Sequence, residues 1–402
     1  MSKNDTKQRY RNALLGALVA DAAALGLHWI YTQPRVRRAG GQTPEFQEPQ
    51  AENYEGVPGY FAHPLKEAGD STMYGENVLL LLRSISNGEG TYRMESYLSE
   101  YRAYFGPGGK YVGYADGPMR GTLFNADAMA GEIEQKIREM KLDVSEERHD
   151  QFARYISRYF LEGDADHLKK MLRSPFDLYK TTKEEYTVLD QVVDAVQQYK
   201  RPVGPDDSQM PALTKVTPIL LAYGDTPAGY AALESAVRMT NNSDLAVAYA
   251  NGLYSALAVV CSEEGRARLG NPGPDQPADQ DALVELLKES FAHLPQEHRA
   301  NVEKALGTLA QDTKALTLKF GPACDCTHGT PSALHNVATA AGFTEGVRTN
   351  ILSCGDSCGR AMLVGPLLAA LYGTGGSRGI PDEWLTKTRS SGEAASVAES
   401  IG

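Results

Sequence analysis

Asp356, Ser357 and Cys358 stand in the turn Ser353-Cys354-Gly355-Asp356-Ser357-Cys358-Gly359, directly ahead of an apolar run from Ala361 to Tyr372 that Gly373 closes. That run is too long for a strand and reads as a buried helix, and the turn residues before it are good N-caps. At the N-terminus of a helix a carboxylate is stabilised by the dipole and a thiol tends to ionise. Asp356 is therefore a candidate base or ligand, and Cys358 a candidate nucleophile or redox group. An ordinary cap on a core helix is the competing structural reading. A second polar start, Thr72-Met73-Tyr74-Gly75-Glu76-Asn77, leads into a run of leucines that reads as another buried helix with Glu76 and Asn77 in its first turn. Asp21 lies inside the apolar stretch 7–31, where a carboxylate needs a partner or a ligand, and His28, Trp29 and Tyr31 follow as that helix ends. For His28 the plain reading is a packed, hydrogen-bonded core histidine.

The elements that must position these groups are helical. Ala13, Leu14, Ala17, Leu18 and Asp21 keep helical spacing, and Gly16 with the alanines leaves a thin face for close approach of another helix. Residues 32–71 carry five prolines and read as a long, functional type of loop, ordered by Phe46, Tyr54, Tyr60 and Phe61. Ile133, Ile137 and Met140 make one amphipathic face and Leu189, Val192, Val193 and Val196 another. Residues 231–260 read as two helices hinged at Thr240-Asn241-Asn242-Ser243-Asp244, with Ser243 able to cap the second. The last 15 residues, TRSSGEAASVAESIG, read as disordered.

Composition sets the outer bounds. The chain of 402 residues is 42% hydrophobic and 23% charged, as in ordinary globular proteins, and is long enough to bury a sizeable core. A net charge of −11 with no basic run argues against general affinity for nucleic acid or anionic membranes. Cys261, Cys324, Cys326, Cys354 and Cys358 are too few and odd in number for a disulfide framework, which favours a reducing compartment. The spacing Cys324-x-Cys326-x-His328 is not a standard structural zinc pattern. The start MSKNDTKQRYRN lacks the apolar core of a signal peptide, and no apolar run reaches transmembrane length, so a cytoplasmic protein is expected.

Several blocks in order carry a resemblance: GALVADAAALGLHWIY (16–31), TMYGENVLLLLRSI (72–85), VTPILLAY (216–223), AVRMTNNSDLAVAYA (236–250), GPACDCTHGTPSALH, and TNILSCGDSCGRAMLVGPLLAALYGTGGSRGIPDEW, which ends at residue 384. Together they resemble the ADP-ribosylglycohydrolase superfamily, and most closely its divergent branch with the J-type crystallins and selenoprotein J. The resemblance implies an all-α, compact multi-helix bundle with a central cleft, a single domain over 1–387, and a poorly matched stretch at about 97–210 that reads as an insertion. In the superfamily two magnesium ions bind the ribose of ADP-ribose through a Thr-Asp-Asp-Thr and an Asp-x-Asp-Thr at two helix starts. Those tetrads correspond here to Gly75-Glu76-Asn77-Val78 and Asp356-Ser357-Cys358-Gly359. Only Asp356 is kept and Glu76 is a longer substitute, which is too few oxygens for a binuclear Mg²⁺ site and leaves at most one weakly held Mg²⁺ on Glu76 and Asp356.

Three readings follow. The first is a hydrolase of an ADP-ribosyl or related glycosidic bond, with Asp356 and Glu76 catalytic and ADP-ribose or an ADP-ribosylated substrate as the partner. Asp21, His28, Tyr74, Asn77, Asn241 and Asn242 are its substrate-binding candidates. The second is a non-catalytic, crystallin-like binding or structural protein. The third is a thiol enzyme using Cys358, which lies near the selenocysteine position of the related selenoprotein. A Cys354–Cys358 disulfide would require the turn to bring the two together.

Overall fold

A computed structural model of the chain describes residues 3–162, 165–173 and 181–401. Among these residues the protein is all-helical, with no strand and only isolated bridges such as Gln209 to Asp325.

The centre is a crossing of two helices, Lys3–Ala24 and Ser357–Tyr372, the second buried along its whole length. Small residues make the crossing possible. A Cβ added at Gly16 would lie 2.4 Å from the carbonyl oxygen of Gly365, and one at Gly365 would lie 2.2 Å from that of Gly16. The two backbones are therefore in direct contact, as the thin face of the first helix leads one to expect. Pro366 sits inside the second helix without ending it.

Around this pair stand the helices Met73–Asn87, Val216–Tyr223, Asp244–Cys261 and Phe343–Leu352. Asp244–Cys261, at 18 residues, is long and apolar enough to cross a membrane, contrary to the expectation that no run reaches that length. It is a core helix, with 67% of that window buried inside the protein. Ser243 precedes it in an extended conformation but makes no side-chain cap, so the expected capping bond is not formed.

The described residues of 97–210, the stretch read from sequence as an insertion, contribute to the same hydrophobic core. Met119, Ala126, Ile133 and Ile137 of the Gly117–Glu139 helix are buried together with Leu189, Val192, Val193 and Val196. Met140, expected on the same face, is half-buried just after that helix.

The expectation of a disordered tail over 388–402 is corrected by the structure. Ser391–Ser400 is a helix that packs on the Met73–Asn87 helix and on the first helix. Its Ala394 and Ala398 are buried, and Glu393 pairs with Arg83 at 2.6 Å. The stretch looks polar, but its two alanines fall on one face, and the chain beneath supplies the apolar surface that a short amphipathic helix needs.

Candidate functional site

Two positive-φ residues set the site. Trp29 (φ 64) and Cys354 (φ 66) both adopt left-handed backbone that large side chains rarely take. Their segments clamp each other: Trp29 N–H donates to the Gly355 carbonyl at 2.9 Å and Gly355 N–H to that of Ile30 at 2.7 Å. The clamp brings the end of the first helical segment against the start of the Ser357–Tyr372 helix. Arg360, itself buried, stiffens the same turn by donating to Asn350 Oδ1 at 3.0 Å and to the Cys354 carbonyl.

Asp356 is fully buried at the N-cap of that helix. Its Oδ1 accepts from Gly359 N–H at 2.9 Å and lies 2.8 Å from His28 Nε2; its Oδ2 accepts from the Tyr74 hydroxyl at 2.8 Å. Burial pushes the carboxyl up, but the His28 hydrogen bond and charge, the Gly359 N–H and the Tyr74 hydroxyl outweigh it and hold Asp356 below the usual carboxylate range. Tyr74 is correspondingly kept protonated by burial and by the negative charge of Asp356. The network continues outward, for His28 Nδ1 lies 2.8 Å from His63 Nε2. Burial, with His28 and Lys66 beside it, holds His63 neutral, and its Nδ1 is buried with no hydrogen-bond partner. The segment 32–71, expected as one long loop, contains the helix Gln33–Gly40 and a helical turn at Ala51–Tyr54; His63 comes from its irregular part, and the Tyr54 hydroxyl donates to the His28 carbonyl at 2.7 Å.

Asp21 is a second, different carboxylate. Thr72 N–H (2.8 Å) and Gly75 N–H (3.2 Å) donate to its Oδ2 and the Thr72 hydroxyl (2.5 Å) to its Oδ1. These neutral donors tie the first helix to the start of the Met73–Asn87 helix. They do not offset burial, which raises Asp21 to about 6. The two helix starts thus converge on one buried polar cluster, with Asp21 beside it.

The remaining candidates are distributed less evenly. Glu76 faces Lys66 (3.4 Å) and the Tyr104 hydroxyl (2.8 Å) rather than Asp356's partners. Asn77 is buried, with Nδ2 turned back to the Met73 carbonyl at 2.7 Å and Oδ1 unpartnered. Asn241 stands a layer out, donating to Asp207 Oδ1 at 3.2 Å and accepting from Thr240 at 2.9 Å. Asn242 is half-buried and holds Arg238 at 3.4 Å and the Pro205 carbonyl rather than any group of the Asp356 cluster.

Cys358 departs from expectation. It is fully buried, its Sγ 3.7 Å from the Asp21 carbonyl, and burial with the negative charges of Asp21 and Asp356 pushes the thiol well above its ordinary value. Desolvation beside two carboxylates opposes the helix N-terminus, so its surroundings disfavour an ionised, reactive Cys358. All five cysteines are free, which removes the Cys354–Cys358 disulfide, and Cys324 is the one that is only partly buried.

A divalent cation fits this donor set poorly. Mg²⁺ needs several available oxygens in octahedral array. Asp356 and Glu76 are engaged separately, and among the described residues no three His, Cys, Asp or Glu side chains stand close enough to hold a metal ion. The threonine positions have been reshaped too: a Cβ at Gly75 would lie 2.5 Å from Asp21 Oδ2, and one at Gly359 would lie 2.2 Å from Asp356 Oδ2. Each carboxylate has folded back into the space a threonine side chain would need.

Sequence reading missed three buried groups, His63 and Thr72 in this cluster and Lys215 outside it. His63 had no periodicity to mark it, since it sits in an irregular loop. Thr72, at the N-cap immediately before Met73, carried a capping signal that could have been read. Lys215, wholly buried, donates to the Pro211 carbonyl at 3.2 Å and to Thr214 at 2.9 Å, and burial lowers it to about 7.

With this geometry in place, the comparisons are consistent from end to end. A model of the ADP-ribosylglycohydrolase family matches residues 2–401. Crystallin J1A of Tripedalia cystophora is 24% identical over 404 residues, covering 100% of this chain and 98% of its own, and Crystallin J1B of the same animal is 22% identical over 402 residues with the same coverage. A solved structure described as an ADP-ribosylglycohydrolase-related protein complex superposes with a TM-score of 0.55 at 16% identity, over 99% of this chain and 98% of that one, and shares the all-helical fold. The chain belongs to the ADP-ribosylglycohydrolase family.

Proposed function

We propose that this protein binds an ADP-ribosyl or closely related ribosyl group where the two helix starts converge and hydrolyses its glycosidic bond without a binuclear magnesium site. The observation that carries the reading is the state of Asp356. A buried carboxylate costs free energy unless something holds it, and here His28, Tyr74 and Gly359 N–H hold it ionised at the family's signature turn. Its two oxygens offer about four lone-pair sites, and three are used. The fourth, on Oδ2, can orient a water for attack on an anomeric carbon. Developing positive charge on the ribosyl ring would be stabilised by the same anion. His28 and His63 extend the hydrogen-bonded chain and can pass charge away from Asp356.

The test is turnover of ADP-ribosylated substrates in excess EDTA, alongside calorimetry with ADP-ribose. Hydrolysis that survives chelation and is lost in Asp356→Asn supports the reading. Strict magnesium dependence overturns the metal-free part, and neither binding nor turnover overturns the whole.

A non-catalytic role is the second reading. It is favoured by the full-length similarity to two crystallins and by carboxylates already satisfied within the protein. Binding of ADP-ribose with no turnover on any linkage would decide for it.

A further inference from the structure

The Gly117–Glu139 helix begins with one more buried carboxyl group, near the same cluster. Asp116 caps the Gly117–Glu139 helix, but the cap uses one oxygen only: Oδ1 accepts from Met119 N–H at 2.7 Å. The other oxygen, Oδ2, is buried with no hydrogen-bond partner, although the side chain is 4% exposed. An orphaned, buried carboxyl oxygen calls for an explanation that an N-cap does not supply.

Its position suggests one. Tyr114, two residues before, packs edge-on against Trp29 at 4.9 Å, and Trp29 adjoins His28 at 4.7 Å. Gly117, the next residue, leaves room beside Asp207 and Gln209; a Cβ there would come no nearer than 3.8 Å to Gln209 Nε2. Gln209 bridges to Asp325, and Met210 N–H donates to the Cys324 carbonyl at 2.8 Å. The charged and titratable groups facing Asp116 from these elements are Tyr74, Tyr101, Tyr111, Asp207, Lys215 and Arg120. Tyr74 thus stands between two carboxyl groups, bonded to Asp356 and in the field of Asp116.

The geometry points to Asp116 as the proton donor to the leaving group in the glycosidic cleavage proposed above, an assignment that rests on that reading. The bond from the anomeric carbon to the leaving oxygen or nitrogen breaks, its electron pair stays on the leaving atom, and that atom takes the Asp116 proton. Water forms the new bond to the anomeric carbon and gives its proton to Asp356. Solvent then returns one proton to Asp116 and removes one from Asp356, so the sum is substrate plus water to hemiacetal plus protonated leaving group. Protonation supports the assignment: burial, with Asp207 adding, raises Asp116 to about 6 against the opposing Met119 N–H, Lys215 and Arg120, whereas Asp356 is held low. Two carboxyl groups with protonation pushed apart suit an acid and its anionic counterpart. The substrate class follows as well: a linkage whose leaving group needs a proton, such as an alkyl alcohol, rather than one that leaves unaided.

The test uses Asp116→Asn and Asp116→Ser in the full chain, since both residues still cap a helix. Substrates are ADP-ribose joined through its anomeric oxygen to an alkyl alcohol, or to p-nitrophenol, which leaves without a proton. We expect kcat for the alkyl substrate to fall by about 100-fold or more, the size of a typical general-acid contribution, and that for the p-nitrophenyl substrate by less than about 5-fold. The wild-type decline in rate as pH rises through about 6 should vanish in both variants, and ADP-ribose affinity should stay unchanged. An equal fall on both substrates, an unchanged pH limb, or no fall on the alkyl substrate overturns the assignment while leaving the proposed function standing. A wild-type protein that cleaves neither substrate overturns both.

Discussion

Asp21 and Asp356 are both fully buried, lie where the same helices meet, and are driven in opposite directions. Asp21 receives only uncharged donors, two backbone N–H groups and a hydroxyl, and burial raises it to about 6. Asp356 adds a histidine and a tyrosine to a helix N-terminus and stays below the ordinary range. Equal burial therefore does not give equal chemistry. Asp21 is a strut that fastens one helix start to another, and Asp356 is an anion held ready. What separates them is that His28 and Tyr74 hydrogen-bond Asp356 directly, while the His28 charge reaches Asp21 without a hydrogen bond.

Removing either side chain tests the contrast, and the largest effect is expected at Asp356. Asp356→Ala leaves His28, the Tyr74 hydroxyl and Gly359 N–H unpaired in the interior, and should cost about 3–5 kcal/mol. A lower urea midpoint at unchanged m-value is the readout, and a loss below about 1 kcal/mol would show that the network is not holding a charge.

The pH dependence of stability should have opposite sign at the two sites. Asp356 is depressed, so its contribution is present above the unfolded carboxylate range and is lost as pH falls through its lower folded value. Asp21 is raised, so its contribution is complete below pH of about 4 and is lost as pH rises through about 6. The gap between wild type and Asp21→Asn should shrink by up to about 3 kcal/mol from pH 4 to 7, while that to Asp356→Asn widens or holds. Parallel slopes in thermal or urea unfolding would erase the distinction drawn here.

Asp21→Ala at neutral pH should cost about 2 kcal/mol for the donors it strands. Gly75→Ala sharpens the point, because the new methyl meets Asp21 Oδ2 at 2.5 Å and Ser71 Cβ at 2.9 Å. In an Asp21→Ala background part of that clash disappears, and a double-mutant cycle should return a coupling of about 1 kcal/mol. Strict additivity would mean that the two groups do not share the space.

The smallest effect is expected at Cys358, wedged between the two carboxylates. In the native protein at neutral pH it should resist iodoacetamide as fully as Cys261, with Cys324 labelled first. Mass-spectrometric mapping that finds Cys358 labelled ahead of Cys324 would restore the thiol reading.

Much of the scaffold is legible in the chain alone. Helical spacing at Ala13, Leu14, Ala17 and Leu18, the apolar run from Ala361 to Tyr372 and the thin Gly16 face lead to the central crossing, because helix period and residue size are local properties. Asp356 as a cap, Glu76 in a first turn and the convergence of their helices follow from local signals and from the order of the resembling blocks. The tail at 391–400 was misread because its two buried alanines gain stability only from the surface beneath them.

What the sequence could not decide is what each polar group faces. His28 and Asp356 are 328 residues apart and meet at 2.8 Å, and His63 and Asp116 arrive from an irregular segment and from a stretch outside the resembling blocks. Protonation and reactivity depend on burial and on charges within a few ångströms, which come from distant parts of the chain. A turn predicts a reactive Cys358 from its own helix dipole. The fold closes two carboxylates and the core around that thiol, and their desolvation and repulsion outweigh the dipole.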